Sequence, residues 1–156
     1  DHDNNEGLIT NITLIDINND GVQDLIGPAV DYNVYCIDGD NLSIIWEYNT
    51  GYESQAPLSF FDITGDGIRD VFGANDNMKL FILNGKTGEM IKEHQLYERK
   101  VINDRIEKVQ TYIILCDFDG NGKLNLITET GKNEITIFEM PEVDVERGAI
   151  IWQPAY

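Results

Sequence analysis

Three short loops carry oxygen side chains at the same spacing, and oxygen is the donor that hard cations select. The first is Asp16-Ile17-Asn18-Asn19-Asp20-Gly21-Val22-Gln23-Asp24, the second Asp62-Ile63-Thr64-Gly65-Asp66-Gly67-Ile68-Arg69-Asp70, and the third Asp117-Phe118-Asp119-Gly120-Asn121-Gly122-Lys123-Leu124-Asn125. Counted from the first Asp, side-chain oxygens stand at positions one, three, five and nine, with glycine at six. Ca²⁺ takes six to eight oxygens at about 2.3–2.6 Å, and a glycine turn lets the position-seven carbonyl join them. The expected ligands are Asp16, Asn18, Asp20, the Val22 carbonyl and Asp24; then Asp62, Thr64, Asp66, the Ile68 carbonyl and Asp70; then Asp117, Asp119, Asn121, the Lys123 carbonyl and Asn125. Up to three Ca²⁺ are thus expected.

The loops are not EF-hands, which need a bidentate Glu at position twelve and a following helix. Position twelve here is Gly27, Gly73 and Thr128, and an apolar strand-like segment follows each loop. Carboxylate count ranks the sites. The first two loops bring three each, but Thr64 is a poor ligand at position three, and the third loop brings two. The first is expected to bind tightest. The alternative for each loop is a tight acidic turn without metal.

The chain of 156 residues carries 28 acidic and 11 basic residues, for a net charge of −17. That balance argues against nucleic acid, whose phosphates must be neutralised by Lys and Arg. Three Ca²⁺ would return about six positive charges to the loops that hold much of the acidity; otherwise the charge serves solubility alone. The apolar fraction of 42% suits a globular domain. There is no signal peptide, transmembrane-length run or starting Met, so the chain reads as a processed product or a piece of something longer.

The elements that must position the loops recur with them. Loop starts lie 46 and 55 residues apart, a spacing found in β-repeat proteins. Before each loop runs a short apolar segment, at 12–15, 58–61 and 112–115, and a second follows the loop. A third lies at 33–37, 79–83 and 134–138, and a fourth at 43–47, 89–93 and 149–152. These runs are rich in β-branched and aromatic residues and are bounded by Gly, Asn and Asp. The turns Asp38-Gly39-Asp40-Asn41 and Asn84-Gly85-Lys86-Thr87-Gly88 have hairpin chemistry, since Gly and Asn tolerate positive φ. The expected fold is all-β: three four-stranded antiparallel β-propeller blades in one segment, residues 1–156. Their spans are about 8–50, 56–95 and 110–153, with an insertion at about 95–110 that fits either a surface hairpin or a short helix. The two ends share a repeat phase, so the chain looks like three blades cut at a boundary.

These loops resemble the FG-GAP and VCBS repeats of integrin α-subunit propellers and bacterial surface proteins. The resemblance implies propeller blades with Ca²⁺ held between the first two strands of each. Val34-Tyr35-Cys36-Ile37-Asp38-Gly39 with Ile44-Ile45-Trp46-Glu47-Tyr48, and Leu80 to Gly88, also look like quinoprotein-type blades. Similar calcium-bearing propellers occur in some pectin-degrading lyases. Three blades depart from the roughly four to eight that close a ring. The remaining blades lie elsewhere, several copies join, or the blades stack in an open array.

No catalytic set emerges. His2 and His94 are the only histidines, and no Ser–His–Asp, zinc or Walker pattern is present. Trp46, Trp152, Tyr48 and Tyr156 lie near fourth strands and are expected to pack between blades rather than bind a ligand. Cys36 and Cys116 lie in apolar runs and read as buried thiols, with a disulfide allowed by the even count. Asn11-Ile12-Thr13 and Asn41-Leu42-Ser43 are N-glycosylation sequons, making Asn11 and Asn41 candidate acceptors. The expectation is a non-enzymatic, extracellular or cell-surface calcium-binding repeat module acting in structure, adhesion or assembly. Its expected partners are neighbouring copies or blades, carbohydrate or another surface protein, with no nucleic acid and no membrane insertion. The alternatives are a piece of a polysaccharide lyase or hydrolase propeller, and a ligand-binding receptor propeller.

Overall fold

A computed structural model describes residues 9–96, 101–102, 105–106, 112–121, 123–129, 135–139 and 153–154. Among them there is no helix, and so none long and apolar enough to cross a membrane. The chain is all-β and forms three four-stranded antiparallel sheets, each an up-and-down meander of the propeller-blade type. The first blade is β1 (Thr13–Ile15), β2 (Asp24–Pro28), β3 (Asn33–Ile37) and β4 (Ile44–Asn49). The second is β5 (Ser59–Phe61), β6 (Asp70–Ala74), β7 (Lys79–Leu83) and β8 (Met90–Gln95). Between the second and third blades, β9 (Val101–Ile102) and β10 (Arg105–Ile106) pair antiparallel. Of the two forms expected for the insertion, the strand pairing at 101–102 and 105–106 favours the hairpin. The third blade is β11 (Ile113–Cys116), β12 (Asn125–Glu129), β13 (Ile135–Glu139) and β14 (Gln153–Pro154).

Among the described residues the fourth strand of this blade is β14. The residues that pair with β13 are Gln153 and Pro154, opposite Glu139 and Phe138, while 149–152 lie outside the described residues. Proline is admissible there because a fourth strand has a free edge that needs no donor. His2, Trp152 and Tyr156 also lie outside the described residues.

Repetition extends to irregularities. The register shifts between Cys36 and Ile37 in the first blade and between Ile82 and Leu83 in the second, at equivalent positions of the third strand. The β3–β4 and β7–β8 turns are closed alike: Leu42 N–H donates to the Asp38 carbonyl at 2.9 Å, and Gly88 N–H to the Asn84 carbonyl at 2.8 Å. The residues with positive φ are Leu42 (61°) and Gly88 (71°), not Gly39 or Gly85. Those two glycines answer a different demand. A Cβ on Gly39 would lie 2.0 Å from the Gln23 carbonyl oxygen, and one on Gly85 would lie 2.0 Å from that of Arg69.

The core is built between blades. Strand side chains alternate faces, so β6 and β7 send residues both ways. Val71, Phe81 and Leu83 join Ile26, Val34, Cys36 and Trp46 of the first blade. Phe72, Ala74, Leu80 and Ile82 join Ile113, Leu126 and Phe138 of the third. A sheet with apolar residues on both faces reads as a continuous hydrophobic run, and β6 is buried throughout. Tyr48 leans on Phe81 across the first interface at 6.2 Å between ring centroids. The Ser59 hydroxyl donates to the Ile113 carbonyl across the second at 2.5 Å.

Candidate metal loops

Each loop joins the first strand of a blade to the second, and all three are held by the same bonds. The position-nine side chain accepts from the position-two amide: Ile17 N–H to Asp24 Oδ2 at 2.9 Å, Ile63 N–H to Asp70 Oδ2 at 3.0 Å, and Phe118 N–H to Asn125 Oδ1 at 2.8 Å. The position-one carboxylate accepts from the position-five amide, at 3.1 Å on Asp16, 3.2 Å on Asp62 and 3.0 Å on Asp117. Its second oxygen takes the position-six amide in the first two loops, Gly21 to Asp16 at 3.0 Å and Gly67 to Asp62 at 2.9 Å. Position five then caps position seven: Val22 on Asp20 at 2.7 Å, Ile68 on Asp66 at 2.9 Å and Lys123 on Asn121 at 2.8 Å.

Position three behaves differently in each. The Asn18 side-chain oxygen accepts from Asp20 N–H at 2.9 Å, so positions one and three share one donor. Asp119 does the same with Asn121 N–H at 3.3 Å and also accepts from the Asn121 side-chain amide at 2.9 Å. Thr64 instead donates its hydroxyl to Asp62 at 3.5 Å, at the edge of hydrogen-bond reach. In each of the first two loops a pair of positive-φ residues makes the course possible, Asn19 with Gly21 and Gly65 with Gly67, and Gly120 repeats position four in the third. Asn and Gly are the residues that adopt this region at low cost.

Positions one, three and five sit at the surface or near it, while position nine is buried in all three loops. Asp24 and Asp70 are the buried carboxylates of the chain's described part, and each spans two elements. Asp24 Oδ1 accepts from Gly39 N–H at 3.0 Å, and Asp70 Oδ1 from Gly85 N–H at 3.0 Å, so the loop is bolted to the turn after the third strand. Asp70 also accepts from Thr64 N–H at 3.0 Å. Burial pushes the Asp70 carboxyl above its usual range, opposed by the amides of Gly85, Thr64 and Ile63. Burial is also the main reason the Cys36 thiol is raised to about 12, with Asp24 and Asp38 adding to it. Cys36 and Cys116 are both free thiols.

By donor type the loops fit a hard cation: every side chain at positions one, three, five and nine offers oxygen. By arrangement they are turned onto their own amides. Among the described residues no group of three or more His, Cys, Asp or Glu side chains is set to hold a metal ion. Of the expected Ca²⁺ ligands, the side chains at positions one, three and five lie at or near the surface and those at position nine lie beneath them. The position-nine groups already serve as internal braces.

Sequence reasoning singled out glycine at six and placed Gly39 and Gly85 in hairpin turns, but missed position four, the position-two residues and the bonds from Gly39 and Gly85 to the position-nine carboxylates. Ile17 and Ile63 are buried against the following blade. The repeated Gly fifteen residues after each position-nine Asp was the available signal. Of the candidate glycan acceptors, Asn41 is exposed and its side-chain oxygen accepts from Ser43 N–H at 2.8 Å. Asn11 is exposed too, but its amide nitrogen donates to the Gln55 carbonyl. His94 sits partly buried, edge-on to Phe138 of the next blade with ring centroids 5.9 Å apart.

No protein-family model and no curated protein matches the sequence. Among solved structures, BamB from Moraxella catarrhalis is similar at 20% identity and a TM-score of 0.49, over 96% of this chain and 38% of that one. The chain thus spans about two fifths of that protein's length.

Proposed function

We propose that the chain is a non-enzymatic, calcium-binding repeat module whose loops staple neighbouring strands in an extracellular or cell-surface assembly. One observation carries the reading: a loop of oxygen donors with one bonding pattern stands at the same strand corner of three successive blades. Extracellular calcium is abundant enough to fill sites of modest affinity. At free calcium about ten to a hundred times the dissociation constant, each filled loop adds roughly 1.4–2.7 kcal/mol of stability. The surface Asn41 sequon suits the same compartment.

The rival reading is an acidic turn closed by its own amides and needing no ion. Its support is the inward bonding of the Asp16 and Asp62 carboxylates. Calorimetric titration with CaCl₂ separates the two. The calcium reading expects heat of binding and a melting temperature that drops on chelation. Absence of heat together with an unchanged melt gives the loops to the rival.

A further inference from the structure

The β3–β4 and β7–β8 turns share a backbone and differ in the residue at the bend. Asp38 N–H donates to the Ser43 carbonyl at 2.9 Å, as Asn84 N–H does to that of Glu89 at 2.8 Å. Asn41 N–H is held by Asp38 Oδ1 at 3.2 Å, as Thr87 N–H is by Asn84 Oδ1 at 3.0 Å. The left-handed residue of the second turn is the buried Gly88. In the first it is Leu42, at a φ of 61° and 73% exposed. A bulky residue is an outlier in that region, and this one gains no burial in return. Strain kept at an exposed turn points to function before packing.

Leu42 is the middle residue of the sequon Asn41-Leu42-Ser43. Its bend turns Ser43 back on Asn41, and Ser43 N–H donates to Asn41 Oδ1 at 2.8 Å. Thr87 accepts likewise from Glu89 N–H at 3.3 Å but has no amide to offer. With Oδ1 fixed, Asn41 Nδ2 has no partner among the described residues, and Asn41, Leu42 and Ser43 are all exposed. The other sequon is set differently. Asn11 Nδ2 donates to the carbonyl of Gln55, in the link between β4 and β5, and Thr13 is fixed in β1 opposite Ile26.

We infer that Asn41 carries an N-linked glycan and that Asn11 does not. The donor class is an oligosaccharide on a lipid-linked diphosphate. Asn41 Nδ2 loses one proton and bonds to the anomeric carbon; that carbon's bond to the diphosphate breaks, and the lipid diphosphate leaves with the bonding pair. Nothing is oxidised or reduced. At Asn11 the same transfer would have to draw the amide off Gln55 and loosen the first blade from the link to the second. The inference rests on the extracellular placement proposed above and not on calcium.

The protein is secreted from eukaryotic cells that glycosylate asparagine, then treated with N-glycosidase, which converts an occupied Asn to Asp. Peptide mapping is expected to find Asn41 converted and Asn11 unchanged, and the intact mass to fall by one glycan. Asn41→Gln is expected to abolish that loss and Asn11→Gln to leave it. Ser43→Ala, which keeps the asparagine and breaks the sequon, is a second test if Asn41→Gln is not secreted. Because the host supplies the secretory route, an empty Asn41 counts against this inference and not against the placement. An unmodified Asn41, an occupied Asn11, or a glycan that survives Asn41→Gln or Ser43→Ala overturns it.

Discussion

The indole N–H of Trp46 donates to the carbonyl of Gly85 at 2.7 Å, joining the fourth strand of one blade to a turn of the next. Gly85 N–H is bound to Asp70, so Trp46, Gly85 and Asp70 form a relay from the first blade to the second acidic loop. Trp46→Phe removes the donor and leaves the buried Gly85 carbonyl without its indole partner. A stranded buried acceptor costs about 1–3 kcal/mol. Urea unfolding followed by circular dichroism is expected to show a loss of that size, and an unchanged midpoint would mean the bond carries no stability.

Gly39 and Gly85 stand where a side chain has no room. The obstacle in each case is a backbone carbonyl, of Gln23 or Arg69, and not a flexible side-chain tip. Alanine at either site must push two strands apart and break the Asp24 or Asp70 bond to that amide. Overpacking of this kind costs about 1–3 kcal/mol, occasionally more. Gly39→Ala and Gly85→Ala are expected to lower the melting temperature by similar amounts, whereas Gly51→Ala, with no atom nearby, keeps its loss to the strain of a φ of 74°.

Much of this architecture is legible in the residues. Runs such as Asn33–Ile37 and Lys79–Leu83 are β-branched or aromatic and end at turn residues, and they form strands at those positions. Less legible is which neighbour each face meets, because β6 and β7 are apolar on both sides and show no alternation. The sequence also leaves undivided the two tasks of the acidic residues. Asp16 and Asp24 look alike in the pattern, yet one caps surface amides and the other is buried as a brace. Burial of position nine follows from the turn that Gly39 closes over it, a contact fifteen residues away. The strand pair at 101–102 and 105–106 was open for a simpler reason: a short polar segment has too few apolar positions to set a period.

The partial burial of His94 beside Phe138 is expected to make stability depend on pH. Desolvation lowers the His94 pKa below 6.5, and nearby Lys92 adds to it. With the folded pKa below the unfolded one, the contribution is fully present above pH 6.5 and is lost as the pH falls through the folded pKa. Melting temperatures between about pH 7.5 and 5.5, a window around the unperturbed histidine pKa, are expected to fall toward acid. His94→Phe keeps a ring against Phe138 without the proton, and its profile over the same window is expected to be flatter. Equal slopes would assign the dependence elsewhere.

Substitutions at positions five and nine of the loops test the proposed cation binding apart from bracing. Asp20 is exposed and accepts only the Val22 amide among its hydrogen bonds. Asp20→Ala is therefore expected to change the melt in chelator by no more than about 0.5 kcal/mol, as for surface substitutions generally. If the first loop binds tightest, the same variant loses the highest-affinity calcium heat. Asp70→Ala behaves oppositely, because it removes the acceptor of three amides, those of Ile63, Thr64 and Gly85. Each stranded buried donor costs about 1–3 kcal/mol, so this variant is destabilised in chelator, before any ion is added. Should Asp20→Ala lower the chelated melt as far as Asp70→Ala does, the surface oxygens are braces too. The stability they supply would then come from the loop's own amides, and the difference between calcium-loaded and chelated protein would vanish in the wild type as well.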